Sequence, residues 1–271
     1  MDIKYIKDET DEIIKIRKHW WGCIYDKYFG NDYDDVALLL DLIGPEPRNI
    51  FEPCCGTGRV LAPLAKAGHF VTGMDADVGM LARIPSKAQG LDNLKYSLAD
   101  ILTANWGKDY DAVVMPTNTL MNLEHRDDDK AAQQLVIKKA ADALKPGGHF
   151  FFAFDIYPDP EKVFVSENKV VEGYFNGTDD AGVTVQIYRC GGLYNPVTRI
   201  AVWNNHYELT LPNGEKHIFA EPGHKYICSR EDVHGWLQDS GFVVEEEFGG
   251  CDRRPFTGEP GWDIIWARKD R

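Results

Sequence analysis

One short segment of the chain combines an acid, small residues and glycines in the spacing of a ligand-binding loop. Residues 52–58 read Glu-Pro-Cys-Cys-Gly-Thr-Gly, after an apolar run and before a helical pattern. Glycine lets the chain turn sharply and lets a ligand approach the main chain. Because ligands bind at the carboxyl ends of strands in such turns, the segment predicts a pocket around Gly56 and Gly58.

The same spacing argues against two kinds of phosphate-binding loop. The dinucleotide motif needs a third small residue, but the larger Leu61 stands where that motif requires close helix packing, and no Gly-Lys-Ser or Gly-Lys-Thr occurs. A second acid, Asp75, ends the next predicted strand 17 residues after Gly58. An acid before the turn and another beyond it favour a ligand with amine and ribose hydroxyl groups and no phosphate, a description that fits S-adenosylmethionine.

Hydrophobic periodicity indicates which elements position these residues. Residues 46–155 alternate between short buried strands and helical patterns, which is typical of a doubly wound α/β sheet. Residues 163–227 are rich in β-branched and aromatic residues with turn signals, and they predict an antiparallel insertion whose clearest hairpin turns at Asn213-Gly214. A helix capped by Ser229 and two last strands then return the chain to the α/β sheet.

The glycine turn and several later segments resemble the motifs of one known family. The stretch Ile50–Arg59 resembles the first motif of the class I S-adenosylmethionine-dependent methyltransferases. Five further stretches resemble the family's later motifs, in the family's order: Val71–Asp75, Asp77–Leu81, Leu98–Asp100, Tyr110–Val114 and Leu144–Gly148. The sequence departs from the commonest first motif at Pro53 and at Cys54, where glycine is usual.

The resemblance implies a Rossmann-like fold with a seven-stranded mixed sheet. It divides the chain into an N-terminal helical lid (1–45), the cofactor-binding core (46–157), a β-rich insertion over the active site (158–228) and the last helix with two strands (229–271). The insertion and lid resemble those of small-molecule enzymes, particularly sugar N-methyltransferases and glycine N-methyltransferase-like enzymes.

The resemblance also implies a set of cofactor contacts. Glu52 organises the pocket under the methionine amino group, Asp75 accepts both ribose hydroxyls, and Asp100 meets the adenine amine. The alternative role for Glu52 and Asp100 is to cap nearby backbone amides, and Met80 packs either on adenine or in the core. The full set of expected cofactor-binding residues is Tyr33, Glu52, Cys54, Gly56, Gly58, Asp75, Ala76, Met80, Asp100, Ile101 and Met115, with Tyr33 reaching the methionine carboxylate.

Residues on the acceptor side are expected at the ends of the fourth and fifth strands or on the lid. The candidates for catalysis are Asp155, Asn118 and Tyr28, with a loop-capping role as the competing interpretation of Asp155. Trp20 and Trp21 form either an aromatic wall or the apolar face of a helix. Arg59 is expected to be a solvated helix residue, with a ligand contact as the alternative.

Composition limits the classes of function. The 271 residues are 44% hydrophobic and carry a formal charge of −13, the wrong sign for tracking a phosphate backbone. No apolar run approaches the roughly 20 residues that span a bilayer, and the charged opening stretch is unlike a signal peptide. Six cysteines without a C-x-x-C are interpreted as reduced thiols, and the histidines show no metal-ligand spacing. We therefore expect a cytoplasmic protein with no nucleic-acid, membrane or metal partner.

Together these observations predict a methyltransferase that transfers a methyl group from S-adenosylmethionine to nitrogen or oxygen of a small molecule. Acids and aromatic residues near the predicted mouth favour an amine. The alternatives are a non-catalytic S-adenosylmethionine-binding regulatory module and another transferase that uses the same cofactor. The strand edges of the insertion also predict a homodimer.

Overall fold

The structure, a computed structural model, describes residues 10–123, 128–164, 170–172 and 175–270. The helices of these residues are α1 Asp11–Phe29, α2 Asp34–Ile43, α3 Leu61–Lys66, α4 Val78–Leu81, α5 Ile84–Lys87, α6 Asp129–Ala143, α7 Pro160–Val163 and α8 Arg230–Asp239, with a short 3-10 helix at Leu120–Asn122. The strands are β1 Asn49–Pro53, β2 Phe70–Asp75, β3 Leu94–Leu98, β4 Tyr110–Met115, β5 Leu144–Ile156, β6 Val170–Glu172, β7 Gly177–Thr178, β8 Thr184–Asn195, β9 Ile200–Thr210, β10 Lys216–Tyr226, β11 Phe242–Phe248 and β12 Gly261–Lys269.

Seven strands form the main sheet in the order β11-β12-β5-β4-β1-β2-β3. Strands β1 to β5 run parallel, whereas β12 is antiparallel to both β5 and β11. This arrangement confirms the predicted Rossmann-like class I fold. The order reverses at β1, so the carboxyl ends of β1, β2 and β4 meet at one edge, where open α/β sheets bind ligands.

The fifth strand shows why its sequence is continuously apolar. Side chains alternate between the two faces of a strand: Phe150, Phe152 and Phe154 enter the core that contains Val136 of α6, whereas Phe151 enters the core on the opposite face. Strand β5 begins at Leu144, because the chain becomes extended directly after α6 and Leu144 pairs with Tyr110 of β4.

The insertion forms a second, antiparallel sheet in the order β10-β9-β8-β6, with β7 paired to β8. The hairpin predicted at Asn213-Gly214 is present, since Thr210 of β9 pairs with Lys216 of β10. One face of this sheet packs against helix α1, where Trp20 and Ile24 are buried with Val185, Leu209 and Phe219. Burial of each large apolar side chain contributes roughly 1.5–3 kcal/mol, so this cluster fixes the helix to the insertion.

Helix α1 also crosses α4 at very short range. A Cβ atom at Gly79 would lie 2.2 Å from the carbonyl oxygen of Lys18, and one at Gly22 would lie 2.7 Å from the carbonyl oxygen of Gly79. Only glycine permits this approach, which brings α1 over the end of β2. The predicted division into lid, core, insertion and final segment stays a prediction, although α1 and α2 precede β1 and strands β6 to β10 fall within 158–228.

Across the part of the chain that the structure describes, no helix combines the length and the apolar character needed to cross a bilayer.

Candidate functional site

A cavity of about 680 Å³ lies where the main sheet, helix α1 and the insertion meet. Residues from the tips of β1, β2 and β4 line one end, and residues from β8, β9 and β10 line the other. The lining residues are Trp21, Tyr25, Cys54, Gly56, Asp75, Asp77, Met80, Thr117, Thr119, Asn122, Leu123, Phe175, Ile187, Arg189, Trp203, Asn205, Tyr207, His224 and Lys225. The volume is within the range of small-molecule sites.

The glycine turn is shaped by its backbone and by Asp75. Gly56 and Gly58 have φ angles of 53° and 75°, in the left-handed region that glycine favours, and Cys54 shares it at 57°. The two carboxylate oxygens of Asp75 accept hydrogen bonds from the backbone N–H groups of Gly56 and Asp77, both at 2.8 Å. One carboxylate therefore joins the turn after β1 to the start of α4 while facing the cavity.

The carboxylate of Asp75 retains acceptor capacity, because each carboxylate oxygen can accept more than one hydrogen bond. Burial raises the pKa of Asp75, and the bonds from Asp77 and Gly56 oppose that rise. A cis-diol placed against such a carboxylate would find two acceptors already held in position. The residue thus has the chemistry that a ribose requires.

Glu52 lies at the end of β1, 4% exposed, in a small recess of about 30 Å³ that adjoins the turn. Its Oε2 atom has no hydrogen-bond partner among the described residues. Burial raises the pKa of Glu52 well above the ordinary range, and the nearby Arg59 guanidinium opposes that rise. A buried carboxylate oxygen without a partner is costly, and an ammonium group entering the recess would satisfy it.

Arg59 is buried rather than solvated, so this expectation was wrong. It is 6% exposed, and its two terminal nitrogens donate to the Asp35 carboxylate at 2.7 and 2.5 Å. Burial alone would lower the pKa of Arg59, but its bonds with Asp35 and Tyr25 hold that pKa above its usual value. The pair fastens α2 to the start of α3, and it presents Tyr25 at the edge of the cavity.

The predicted cofactor residues divide into those at the cavity and those around it. Cys54, Gly56, Asp75 and Met80 line the main cavity, and Glu52 and Met115 line the adjoining recess. Four other predicted residues do not line either space. Gly58 packs on Ile84, and Ile101 is buried in the core. Ala76 and Asp100 are exposed. Asp100 accepts from the backbone N–H of Leu102 at 2.8 Å, the loop-capping role that the sequence left open.

The structure does not bring the predicted lid tyrosines to the cavity lining. Tyr28 is 52% exposed and donates to the carbonyl oxygen of Asn176 at 3.2 Å. Tyr33 is 44% exposed, because α1 ends at Phe29 and the chain turns before α2 begins. Instead Trp21 and Tyr25, one helical turn apart on α1, reach the cavity.

The two tryptophans of α1 have different surroundings. Trp20 is fully buried, and its Nε1 atom donates to the carbonyl oxygen of Gly177 at 2.9 Å. Trp21 packs edge to face on Phe175, with ring centroids 4.7 Å apart, and both rings line the cavity. The helix-packing interpretation thus describes Trp20, and the aromatic-wall interpretation describes Trp21.

Asn118 and Asp155 lie together at the tips of β4 and β5. Asn118 Nδ2 donates to the Asp155 carboxylate, and Asn118 Oδ1 accepts from the backbone N–H of Asp155 at 3.0 Å. The hydroxyl of Tyr157 also donates to Asp155 at 3.0 Å. Burial raises the pKa of Asp155, whereas Tyr157 and the charge of Lys225 lower it. The cluster borders the site, and Thr117 and Thr119, on either side of Asn118, line the cavity.

The insertion was expected over the active site, but the residues of β8 and β9 that line the cavity were not identified from the sequence. Strand pairing places Arg189 opposite Asn205, Ile187 opposite Tyr207, and Trp203 opposite Gly223. Residues that are directly opposite share a face, so alternate residues of three strands form one wall. His224 borders the same cavity, where its Nδ1 atom lies 2.6 Å from the buried carboxylate of Asp129.

Comparison with known proteins supplies independent information. Residues 50–148 match the family described as a methyltransferase domain. The putative methyltransferase YqeM of Bacillus subtilis (strain 168) is 25% identical over 176 residues, which cover 60% of this chain and 68% of that protein.

Two solved structures are similar over nearly the whole chain. A S-adenosylmethionine-dependent methyltransferase from Clostridium acetobutylicum ATCC 824 has a TM-score of 0.70 at 16% identity, covering 92% of this chain and 97% of its own. The sugar N-methyltransferase KedS8 from Streptoalloteichus sp ATCC 53650 has a TM-score of 0.64 at 18% identity, covering 98% and 96%. The match over residues 50–148 bears out the methyltransferase that the sequence motifs predict, and the two structures bear out the predicted fold.

Proposed function

We propose that this S-adenosylmethionine-dependent methyltransferase, whose residues 50–148 match the methyltransferase domain, transfers the methyl group to a nitrogen or oxygen atom of a small molecule. The observation that carries the proposal is one cavity that is lined both by the glycine turn with Asp75 and by the wall of the insertion. A donor held at one end and an acceptor held at the other would meet inside it, covered by helix α1.

At the donor end, the chain offers groups that match the cofactor's polar parts. Asp75 would accept the ribose hydroxyls, and Glu52, with its unpartnered buried oxygen, would accept from the methionine ammonium. The turn at Gly56 leaves the main chain open to the ligand, since a Cβ atom there would meet nothing within 4 Å. Met80 would pack against the adenine.

The bound cofactor supplies a methyl group on a sulfonium, ready for displacement by a nucleophile. The residues of this chain then have to align the nucleophile and exclude water, which in well-oriented systems supplies ~7 to 11 kcal/mol of the barrier reduction. Tyr25, Thr117 and Thr119 line the cavity, and their hydroxyl groups would serve this alignment. Asp155 and Asn118 support the same edge from behind and remain our candidates for assisting the acceptor.

Nitrogen is the favoured acceptor atom. A neutral amine attacks without prior removal of a proton, so a strong base is not required before the transfer. The structural similarity to a protein named as a sugar N-methyltransferase supports this choice. The predicted catalytic role of Tyr28 is not carried into the proposal, because its side chain is exposed and bonded to the insertion.

The proposal is tested by incubating the purified chain with S-adenosylmethionine and panels of amino sugars, amines and phenols. We expect S-adenosylhomocysteine and a product heavier by one methylene group to form in equal amounts. Cofactor binding with no product from any panel would favour a regulatory module, and a different product mass would favour another transferase. The predicted homodimer is examined separately by sedimentation.

Asp155→Asn refines the assignment at the acceptor edge. Because Asp155 is bonded to Asn118 and Tyr157 rather than to the glycine turn, we expect turnover or the acceptor KM to change while cofactor affinity does not. Thr103→Ala, at an exposed turn away from the cavity, serves as the control. A variant that matches the native protein in turnover and KM would leave Asp155 with a capping role alone.

A further inference from the structure

The wall of the insertion carries two positive charges on one face. Lys225 of β10 pairs with Ala201 of β9, two residues before Trp203, and Arg189 of β8 pairs with Asn205, two residues after it. Both therefore lie on the face of the sheet that bears Trp203. Both side chains line the cavity.

A tryptophan ring orders the two cations. The Arg189 guanidinium carbon lies 4.7 Å from the ring centroid of Trp203, and the Lys225 ammonium nitrogen lies 5.6 Å from the same centroid. Contacts of cations with an indole at these distances are attractive and reduce the freedom of both side chains. Lys225 also donates to Asn122 Oδ1 at 2.8 Å, which ties it to the loop after β4.

The position of Trp203 depends on a glycine in the neighbouring strand. A Cβ atom at Gly223 would lie 2.4 Å from the indole ring, so only glycine allows the ring to lie across β10. The ring is buried and packs on Phe164, with centroids 6.2 Å apart. The sheet thus provides a rigid base for both charges.

Two cations on a cavity wall stand out in a chain with a formal charge of −13. Arg189 is exposed and Lys225 is half-buried where they line the cavity, so solvent screens their charges in part, but both charges act on a molecule bound there. Arg189 can donate two parallel hydrogen bonds to a carboxylate or phosphate, and Lys225 adds a point charge. Asn205 lies beside Arg189 on the same face and provides a further donor.

We infer that the methyl acceptor carries an anionic group, a carboxylate or a phosphate, and that Arg189 and Lys225 bind it. This inference rests on the proposed function, since it assigns the insertion end of the cavity to the acceptor. The anion anchors the molecule on the wall, and the nucleophilic atom extends towards the tips of β1 and β4. A cationic acceptor without an anionic group is disfavoured by the same charges.

The first test measures anion binding to the protein loaded with S-adenosylhomocysteine. Inorganic phosphate, pyrophosphate and succinate are titrated in a calorimeter against the native chain, Arg189→Gln, Lys225→Gln and Lys216→Gln. Lys216 is an exposed cation at the far end of the same strand β10, so it serves as the matched control. We expect at least one anion to bind the native chain and each cavity variant to weaken that binding about 10- to 100-fold. The control should leave it unchanged.

The second test uses acceptor pairs that differ by the anionic group. Glucosamine 6-phosphate is compared with glucosamine, and phenylalanine with 2-phenylethylamine, by measuring S-adenosylhomocysteine formation. In the native chain, the charged member of one pair should have the lower KM. Lys225→Gln should raise that KM towards the KM of the neutral member. Arg189→Gln should weaken recognition of the charged member, and Arg189→Lys should restore part of it. The preferred pair identifies the anion as phosphate or carboxylate.

The outcomes separate this inference from the proposed function. Equal KM values for the charged and neutral members of both pairs, unchanged in Arg189→Gln and Lys225→Gln, would overturn the anion subsite and leave methyl transfer standing. Anion binding that depends on Arg189 and Lys225, without methyl transfer to any acceptor, would overturn the proposed function alone. Failure of all three anions to bind the native chain would refute the subsite.

Discussion

Replacing Asp75 separates the two roles that the structure gives its carboxylate. Each of its oxygens already accepts a backbone N–H, from Gly56 and from Asp77, and we propose that they also accept two ribose hydroxyls. A hydrogen bond to a charged group contributes about 1.5–3 kcal/mol. Since the side chain is half-buried, the lower end of that range applies, and losing two such bonds costs about 3 kcal/mol. Asp75→Ala should therefore weaken S-adenosylhomocysteine binding by about 100-fold in calorimetry.

The same replacement also affects the fold, and the two effects must be distinguished. The N–H groups of Gly56 and Asp77 lose their acceptor, which at a half-buried position costs about 1–2 kcal/mol of unfolding free energy. Asp75→Asn keeps one acceptor oxygen and should be intermediate in both measurements. Asp77→Asn is the matched control, because Asp77 lies in the same turn and caps α4 through the N–H of Gly79 at 2.7 Å.

A change in the ligand completes the test. Adenosine and 2′,3′-dideoxyadenosine differ in the hydroxyl groups that Asp75 is proposed to hold. The alanine variant should lose affinity for adenosine and keep its affinity for the dideoxy compound. An equal loss for both ligands would show that Asp75 acts only by shaping the loop, and the proposed ribose contact would then be wrong.

Three further predictions concern stability and the acceptor wall. Arg59→Met leaves the buried Asp35 carboxylate without its partner and should lower the unfolding free energy by about 3–5 kcal/mol in urea titrations, whereas a second replacement, Asp35→Leu, should restore part of it. Burial and the neighbouring carboxylate of Glu247 raise the pKa of Asp263 to about 8, above its value in the unfolded chain. Between these two pKa values Asp263 is protonated in the folded state and ionised in the unfolded state. Its contribution to stability is complete below the unfolded pKa and is lost as the pH rises through 8. The urea midpoint of the native chain should therefore decrease as the pH is raised from 5 to 9, and the midpoint of Asp263→Asn should change less. In Gly223→Ala the added methyl group would overlap the Trp203 ring and displace it. This variant should weaken anion binding without changing S-adenosylhomocysteine affinity. Unchanged anion binding would mean that the position of the ring does not affect Arg189 and Lys225.

The sequence predicted the structure correctly where a short motif determines the local backbone conformation. The acid, the glycines and the second acid at Asp75 predicted the pocket at the tips of β1 and β2, since strand, turn and helix are contiguous there. The capping box at Ser229 and Asp232 likewise marked the start of α8. The capping residues lie within a few positions of one another, and Asp75 ends the strand that directly follows the helix after the glycine turn.

Residues whose role depends on distant partners were harder to assign. Arg59 has no nearby acid in the sequence, and its burial follows from Asp35, 24 positions away on α2. Tyr33 lies in a stretch that resembles the family's lid, but the end of α1 at Phe29 turns the chain before that residue. A resemblance of residue types did not fix the direction of the side chain.

The acceptor wall lies between these two cases. The loop Pro212-Asn213-Gly214 joins Leu211 to Glu215, and counting back from that pair matches Thr210 with Lys216 and Trp203 with Gly223. A two-residue turn at Asn213-Gly214 would shift this register by one residue, so the register depends on the loop length that the structure shows. Alternation then groups Trp203, Asn205 and Tyr207 on one face.

The sequence does not indicate which face meets the cofactor. That choice follows from the packing of Trp20 and Ile24 against the same face as Trp203, a contact between residues more than 150 positions apart. Because α1 buries the far part of that face and also crosses α4 at Gly79, the remaining part is held open towards the glycine turn. Helix α1, which covers the donor end of the cavity, therefore also determines which residues of the insertion face the acceptor.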